Sequence, residues 1–361
     1  MINIVFPFSW SNKSPALKGL ISIIEKKGHR YTLFTPNNAS FKENKLGTFK
    51  AFKPNRIYAA CIRLLMSISR RINFLAPALN VLTREMWIRA AKPTLSQEKD
   101  LIIIFDFYGC ASYLRSAGTV IIFSTEIYNF FHQIGGATQF SNTKIICQSL
   151  VRAQYLGYAM SRTYLVPNSY VKAQDFSERK LSQLIYSGSF TPPLGSSILI
   201  ELFAKDDPCE LKLTVQSEMV ESEFEHACNV TVNRSFMEED QLNRYLSRFY
   251  VGLVLYDLGS VDVSQKFNFE TAPSGKMYRY AACGVPMIGS RCNGLEDIET
   301  YGAGILLSSF TSNDVYVAYQ TILNNYEKYV SGCKKLVAAA NFEGAMSAAF
   351  DSIMNPSREI E

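Results

Sequence analysis

Apolar residues follow two alternating patterns along the chain. Continuous apolar runs, typical of strands covered on both faces of a parallel sheet, alternate with stretches in which apolar residues recur every three or four positions, as on one face of a helix. The first unit comprises a strand at 2–6, a helix at 15–27 that Gly28 ends, and a second strand at 30–34. This order and these lengths predict a parallel βαβ unit.

The same alternation continues to the end of the chain, with a turn at 166–169 separating two halves. Further strands are predicted at 101–105, 120–123, 144–148, 163–166, 183–187, 211–215, 230–232, 251–256, 285–288 and 305–307, with helices that include 150–159, 239–249 and 276–283. We expect an α/β protein of two doubly wound, Rossmann-like domains, 1–170 and 171–340, facing across a cleft. A final helix in 341–361 is a candidate for crossing back to the first domain.

Length and composition agree with two ordinary globular domains. The chain has 361 residues, of which 47% are apolar and 19% charged. No apolar run reaches the roughly 20 residues that span a bilayer, and the first residues lack the charged segment that precedes the apolar part of a signal peptide. We therefore predict a cytoplasmic protein.

The distribution of metal-ligating residues argues against a metal site. Eight cysteines occur singly with no Cys-x-x-Cys pair, and the sequence contains no Asp-x-Asp motif. Neither His29 nor His226 has a partner at metal-ligand spacing. We expect no metal and no cofactor.

Positive charge is concentrated in one segment, 41–100. It holds twelve Lys and Arg against four acids, a net charge of +8, whereas the whole chain carries +5. Between 57 and 91 the cations alternate with large apolar residues. Such helices either lie at a membrane surface against anionic headgroups or pack on the sheet with a solvated basic face. No recognised nucleic-acid-binding motif accompanies the charge.

A short loop of small residues, Pro273–Gly275, precedes a helix that Lys276 opens. The start of a helix presents unpaired N–H groups and the positive end of the helix dipole, Gly275 permits close approach to the backbone, and Lys276 supplies a cation. This combination predicts a diphosphate site. The alternative is an ordinary helix start with a surface lysine.

The residues after this loop carry a family resemblance. Ser274-Gly275-Lys276 runs into Tyr280-Ala281-Ala282-Cys283-Gly284-Val285-Pro286-Met287-Ile288, which resembles the donor-binding signature of GT-B glycosyltransferases, especially bacterial enzymes of glycosyltransferase family four. Further segments resemble that family in the same order: 145–149 with Arg152-Ala153, 166–169, 185–189, 251–256, 293–296 and 302–305.

The resemblance implies a nucleotide-sugar donor, UDP- or GDP-linked, held mainly by the second domain, and an acceptor held by the first. The implied donor-binding residues are Gly188, Ser189, Tyr256, Asn268, Ser274, Gly275, Lys276, Met277 and Arg279. Among them Lys276 is also expected to stabilise the leaving diphosphate, so that no metal is required.

One position departs from the family pattern. Many relatives carry a Glu-x7-Glu pair whose second glutamate binds the ribose, but Arg279 stands at that place here. The nearest upstream acid, Glu270, is nine residues before Arg279, and we keep it as a candidate catalytic residue. Arg279 could contact phosphate, contact an acidic sugar, or face solvent.

Acidic residues in the first domain are candidates for the acceptor side. Glu126 closely follows the predicted strand at 120–123, at the end of the sheet where ligands bind in open α/β folds. Its carboxylate is expected to act as a general base, or to orient the acceptor in a retaining mechanism. The alternative is that Glu126 is an N-terminal residue of a helix, where its negative charge is stabilised by the helix dipole. Asp106 is a candidate for the same reason, because it directly follows the predicted strand at 101–105. His132 follows Glu126 closely in sequence and is a further acceptor-side candidate.

Together these features predict a metal-independent glycosyltransferase that acts on a saccharide or lipid-linked acceptor in bacterial surface polysaccharide synthesis. The product would be capsule, O-antigen of lipopolysaccharide, or exopolysaccharide, made at the cytoplasmic face of the inner membrane with peripheral contact through 41–100. Two alternatives remain open: a nucleotide-sugar epimerase on the same fold, and a non-catalytic nucleotide- or membrane-binding subunit.

Overall fold

A parallel β-sheet forms the centre of each of the two units into which the chain divides. The computed structural model describes residues 1–7, 14–35, 44–51, 56–71, 101–106, 118–127, 143–169, 181–203 and 211–355. The N-terminal unit consists of Met1–Tyr170 with Glu343–Glu361, and the C-terminal unit of Val171–Phe342.

The described strands of the N-terminal unit pair in the order β3-β2-β1-β4-β5-β6-β7, and every pair is parallel. They are β1 (Ile2–Val5), β2 (Tyr31–Thr35), β3 (Gly47–Ala51), β4 (Leu101–Phe105), β5 (Val120–Phe123), β6 (Thr143–Cys147) and β7 (Thr163–Leu165). Strands β1, β2, β4 and β5 are buried along their whole length. This burial explains why their sequences are apolar without alternation.

Among the described helices of this unit, two follow a serine that caps the helix start, and one exposes large apolar residues. Helix α1 (Pro15–Lys26) follows Ser14, whose hydroxyl accepts a hydrogen bond from the Leu17 N–H at 3.2 Å. Helix α2 (Arg56–Arg71) exposes Ile57 and Leu64, which are 74% and 61% accessible. Helix α3 (Leu150–Tyr155) is capped by Ser149.

The described strands of the C-terminal unit pair in the order β10-β9-β8-β11-β12-β13, again all parallel. They are β8 (Leu181–Ser187), β9 (Leu213–Gln216), β10 (Val230–Asn233), β11 (Phe249–Val254), β12 (Met287–Ser290) and β13 (Gly304–Leu307). From β8 the chain continues outward to β9 and β10 on one side of the sheet. From β11 it continues outward to β12 and β13 on the other side, so the order of strands reverses between β8 and β11. This is the doubly wound arrangement.

Helices cover both faces of the second sheet. They are α4 (Ser196–Phe203), α5 (Ser222–Glu225), α6 (Glu239–Leu246), α7 (Val263–Thr271), α8 (Gly275–Ala282), α9 (Asp297–Thr300), α10 (Ser312–Asn324) and α11 (Tyr326–Ala339). One cluster of buried side chains joins the sheet to α8 and α11, and the other joins it to α4 and α10. Ile185 belongs to the first cluster and its neighbours Leu184 and Tyr186 to the second, because successive strand residues point to opposite faces.

The last described helix, α12 (Phe342–Met354), packs on the N-terminal unit. Lys27 Nζ lies 2.7 Å from Asp351 Oδ1, and Lys26 pairs with Glu343. The ring of His29 lies 5.4 Å from that of Phe350. The helix therefore contacts α1 and the turn that follows it.

These two doubly wound α/β units confirm the fold class predicted from the sequence. Within the described ranges, no helix combines the length and the apolar character that crossing a membrane requires.

Candidate functional site

The reversal of strand order in the C-terminal unit marks where a ligand is expected. Ligands of open α/β sheets bind beyond the carboxyl ends of the strands that flank this reversal, which here are β8 and β11. The chain leaves β8 through Gly188 and leaves β11 through Tyr256. Helix α8, which begins at Gly275, contributes Lys276 to the same place.

Lys276 reaches from α8 to the end of β8. Its Nζ donates a hydrogen bond to Tyr186 Oη at 2.9 Å and lies 4.1 Å from the centre of the Tyr186 ring. Its side chain also passes directly over Gly188: a Cβ at that position would lie 2.8 Å from Lys276 Cε. Gly188 has φ +125°, a conformation that side chains rarely adopt. The structure thus brings together two of the predicted donor-binding residues, 88 positions apart in sequence.

The environment of Lys276 disfavours its charged form. The side chain keeps some exposure, but burial of the amine lowers the pKa of Lys276 from 10.5 to about 7. An amine with this pKa gains a proton readily when an anion is placed beside it. Such a group is suited to receive phosphate charge.

The start of α8 next to Lys276 is accessible from outside. Ser274 occupies the N-cap position, but its side chain makes no capping hydrogen bond. A Cβ added to Gly275 would meet nothing within 4 Å, so the space above this backbone is open. The first N–H groups of a helix have no partner within it and attract anions.

Three of the other predicted donor-side residues, Met277, Asn268 and Tyr256, are largely buried beside this site. Met277 is fully buried in the hydrophobic core, and Asn268 is 5% exposed. The hydroxyl of Tyr256 donates to the Ala272 carbonyl at 3.3 Å, and its backbone N–H donates to Ser290 Oγ at 2.9 Å. The Met277 assignment is therefore corrected to a packing role, because its side chain faces the core rather than a ligand.

Ser189, Arg279 and Glu270 occupy more exposed positions. Ser189 is exposed, and its carbonyl accepts a hydrogen bond from Tyr186 Oη at 2.5 Å. Arg279 is partly exposed and lies three residues after Lys276, a spacing that places two side chains on neighbouring positions of a helix surface. Glu270 lies in the last turn of α7. Burial raises the pKa of Cys292 to about 11, and the negative charges of Glu270 and Glu296 contribute to the same rise.

In the N-terminal unit, Asp106 holds the turn that carries Glu126. Asp106 follows β4 with φ 47°, the left-handed region that is uncommon for a residue with a side chain, and it is 1% exposed. Its carboxylate accepts hydrogen bonds from the Glu126 N–H at 2.8 Å and from the N–H and hydroxyl of Thr125. Burial raises the pKa of Asp106 to about 7 despite these bonds.

This geometry corrects the expected role of Asp106. A buried carboxylate whose oxygens bond Thr125 and Glu126 does not present itself to an acceptor, so its function is to position the following turn. Glu126 itself is partly exposed, at the carboxyl end of β5. The predicted acceptor-side residue His132 lies outside the described residues, as does the chain after Ile127 that would test whether Glu126 starts a helix.

Polar side chains that follow the next strand, β6, support the same turn. Gln148 Nε2 donates to the Ser124 carbonyl at 2.7 Å, and the fully buried Arg152 donates from Nη2 to the Thr125 carbonyl at 3.1 Å. A buried arginine is costly unless it is bonded. The bond to Thr125 brings this buried guanidinium against the loop that carries Glu126.

Tyr186 is a residue of the site that the sequence pattern does not reveal, because it falls within the predicted strand at 183–187. Its side chain is buried and sits in an apolar run, so nothing in the local pattern distinguishes it from a packing residue. In the described parts of the chain, no group of three or more His, Cys, Asp or Glu is arranged to hold a metal ion.

Neither protein-family models nor curated protein sequences gave a match to this sequence. Solved structures did. Sucrose-phosphate synthase from Thermosynechococcus elongatus is 13% identical, with a TM-score of 0.66 over 100% of this chain and 99% of the other. A UDP-forming α,α-trehalose-phosphate synthase from Burkholderia vietnamiensis is 9% identical, with a TM-score of 0.68 over 98% and 99%.

A third similar structure is WaaG, described as a glycosyltransferase involved in lipopolysaccharide biosynthesis. It is 12% identical, with a TM-score of 0.59 over 98% of this chain and 99% of that one. At such low identities the similarity establishes the fold and not the reaction. The chain has the GT-B fold of glycosyltransferases.

Proposed function

We propose that the protein is a glycosyltransferase that takes a sugar from a UDP- or GDP-linked donor and transfers it to a saccharide or lipid-linked acceptor. The observation that carries this proposal is the meeting of Lys276, the Gly188 turn and the open start of α8. These three features belong to one unit, and Lys276 links them because it is the second residue of α8 and its side chain lies over Gly188 at the end of β8. A diphosphate is the ligand chemistry that uses all three.

On the donor side, the charge of the leaving diphosphate is the main electrostatic problem. As the bond between the anomeric carbon and the phosphate oxygen breaks, the electron pair stays with the diphosphate. The ammonium of Lys276 and the N–H groups at the start of α8 would stabilise this charge without a metal ion. Arg279, one turn further along α8, is available for a second phosphate or for an acidic sugar.

On the acceptor side, Glu126 is the proposed catalytic carboxylate. An acceptor hydroxyl oxygen forms the new bond to the anomeric carbon, and its proton passes either to Glu126 or to the leaving phosphate. Asp106 and Arg152 fix the backbone of Thr125 and Glu126 from behind. Glu270 would remain a secondary candidate on the donor side.

The similar structures support this proposal at the level of chemistry. One of them is UDP-forming, and another, the pneumococcal O-GlcNAc transferase GtfA, was solved with UDP and GlcNAc. WaaG acts in lipopolysaccharide biosynthesis. Surface polysaccharide or lipopolysaccharide synthesis is accordingly the pathway that we propose for this chain.

Helix α2 favours a membrane-bound acceptor. Ile57 and Leu64 are two helical turns apart and both exposed, and Arg63 is exposed beside them. An apolar stripe next to cations fits the interface of an anionic bilayer. We expect peripheral attachment at the cytoplasmic face, and Ile57→Asp with Leu64→Asp should abolish flotation with anionic liposomes. Flotation equal to that of the wild type would contradict this attachment.

The reaction itself is tested by nucleotide release. Purified protein is incubated with UDP- and GDP-sugars, with and without membrane saccharide extract, and nucleoside diphosphate and sugar products are measured. Acceptor-dependent release supports a glycosyltransferase. Acceptor-independent release with an altered sugar would indicate an epimerase, and no release would indicate a binding subunit.

Variants connect this activity to the site. Lys276→Ala should lower turnover by more than about a hundredfold, as expected for the loss of a group that stabilises a leaving charge. Lys328→Ala removes an exposed lysine of α11 in the same unit and serves as the matched control. Equal turnover of the two variants would refute the role of Lys276.

A further inference from the structure

Tyr186 lies at the junction of the two chain segments that form the proposed diphosphate site. Its hydroxyl accepts a hydrogen bond from Lys276 Nζ at 2.9 Å. The same hydroxyl faces the carbonyl oxygens of Ser189 and Leu194, at 2.5 and 2.9 Å, and shares its one proton between them. One side chain thus ties the helix that carries the lysine to the turn that follows β8.

The aromatic ring of Tyr186 contributes a second contact. The Lys276 amine lies 4.1 Å from the ring centre, within the range of a cation–π interaction. The ring also makes a T-shaped contact with Phe190, whose centroid is 6.2 Å away. Because the tyrosine is fully buried and held by β8, its hydroxyl has little freedom to move.

A lysine side chain has four rotatable bonds and would otherwise sample many positions. Gly188 removes the steric obstacle on one side, since a Cβ there would collide with Lys276 Cε, and Tyr186 supplies the anchor on the other. Fixing a catalytic cation before the ligand arrives reduces the entropy lost on binding.

We propose that Tyr186 is a positioning residue for the donor diphosphate: its hydroxyl holds the amine of Lys276 over the Gly188 turn until a phosphate oxygen replaces it as the partner. This inference rests on the proposed function for the identity of the ligand. The contact between Tyr186 and Lys276 does not depend on that ligand and is tested separately.

The binding test is a double-mutant cycle. Wild type, Tyr186→Phe, Lys276→Ala and the double variant are titrated with UDP and with GDP by calorimetry. Tyr186→Phe keeps the ring and should weaken binding about tenfold. Because Tyr186 acts through Lys276, the double variant should bind no more weakly than Lys276→Ala alone.

Two controls separate positioning from general damage. Tyr326→Phe removes a hydroxyl of the same unit that contacts the Gly284 carbonyl at 3.4 Å, and it should bind like the wild type. Thermal melting establishes that each variant is folded. A penalty for Tyr186→Phe that persists in the Lys276→Ala background would overturn the proposal, as would binding equal to that of the wild type.

The ligand-free test follows the side-chain carbon and nitrogen NMR signals of Lys276, assigned with Lys276→Arg. Loss of the acceptor in Tyr186→Phe should displace these signals and lower the pH at which they titrate, since the hydroxyl stabilises the charged amine. If the wild type binds neither nucleotide, the proposed function fails and this spectrum alone decides. Unchanged Lys276 signals in Tyr186→Phe would then refute the positioning role.

Discussion

Donor binding should take up a proton, because the pKa of Lys276 is about 7 without ligand. A phosphate next to the amine favours the charged form and raises its pKa in the complex. The complex then binds more protons than the ligand-free protein between about pH 7 and the raised pKa of the complex. Affinity for the donor must therefore fall as pH rises.

The size of the effect follows from the same pKa. With a pKa of about 7, about nine tenths of Lys276 is protonated at pH 6 and about one tenth at pH 8. If the bound amine stays charged, the dissociation constant should rise about tenfold between these values and about tenfold more by pH 9. A nucleotide sugar is the right ligand, because its diphosphate ester does not titrate in this range.

The assay is calorimetric titration at constant ionic strength, repeated in two buffers of different ionisation enthalpy. The difference between buffers gives the number of protons taken up, expected to approach one at pH 8. Lys276→Arg keeps a charge at every pH and should bind with a flat profile. A flat profile for the wild type, with no proton uptake, would refute this account of Lys276.

Two further predictions address the neighbouring residues. Asp106→Asn places an amide against the donors of Thr125 and Glu126, so turnover should fall about tenfold or more while the donor KM stays unchanged. The free energy of unfolding, measured in urea, should fall by about 1–3 kcal/mol. A raised donor KM with normal kcat would contradict the positioning role. Gly188→Ala and Gly275→Ala should behave differently. Gly188→Ala strains the backbone and collides with Lys276, which should lower both thermal stability and UDP affinity, whereas Gly275→Ala enters open space and should lower affinity alone. Equal melting temperatures for the two glycine variants would contradict the interpretation that only position 188 is strained.

The central strands of the fold were predictable because burial on both faces requires apolar residues at every position. Strands β4 and β5 match the predicted ranges 101–105 and 120–123. The apolar pattern does not predict strand β3, because it is an edge strand that pairs only with β2 among the described strands. Its sequence includes Gly47 and Lys50. An edge strand does not need a continuous apolar run.

Strand ends were harder to predict from burial alone. The strand expected at 251–256 is observed as Phe249–Val254. Leu255 and Tyr256 remain buried, so the apolar pattern continues, but the Tyr256 N–H bonds the side chain of Ser290 in the neighbouring strand β12 and not a backbone carbonyl of that strand. Apolar character reports burial and not the hydrogen-bond partner.

The candidate site was partly visible in the sequence for a similar reason. Lys276 stood out because a helix start, a glycine and a lysine are adjacent. Met277 belongs to the donor-binding set that the resemblance implies, but the helical spacing of Met277, Tyr280 and Ala281 indicates a core face. Tyr186 lies 90 positions from Lys276, and a contact of that range leaves no local pattern.

The proposed function requires that the C-terminal unit binds the diphosphate of a nucleotide at Lys276. The most direct measurement is calorimetric titration of UDP and GDP, near neutral pH, into the wild type, Lys276→Ala and Lys328→Ala. We predict one nucleotide per chain for the wild type and for Lys328→Ala, and binding at least about a hundredfold weaker for Lys276→Ala. Equal affinity of all three proteins, or no binding by the wild type, would contradict the claim.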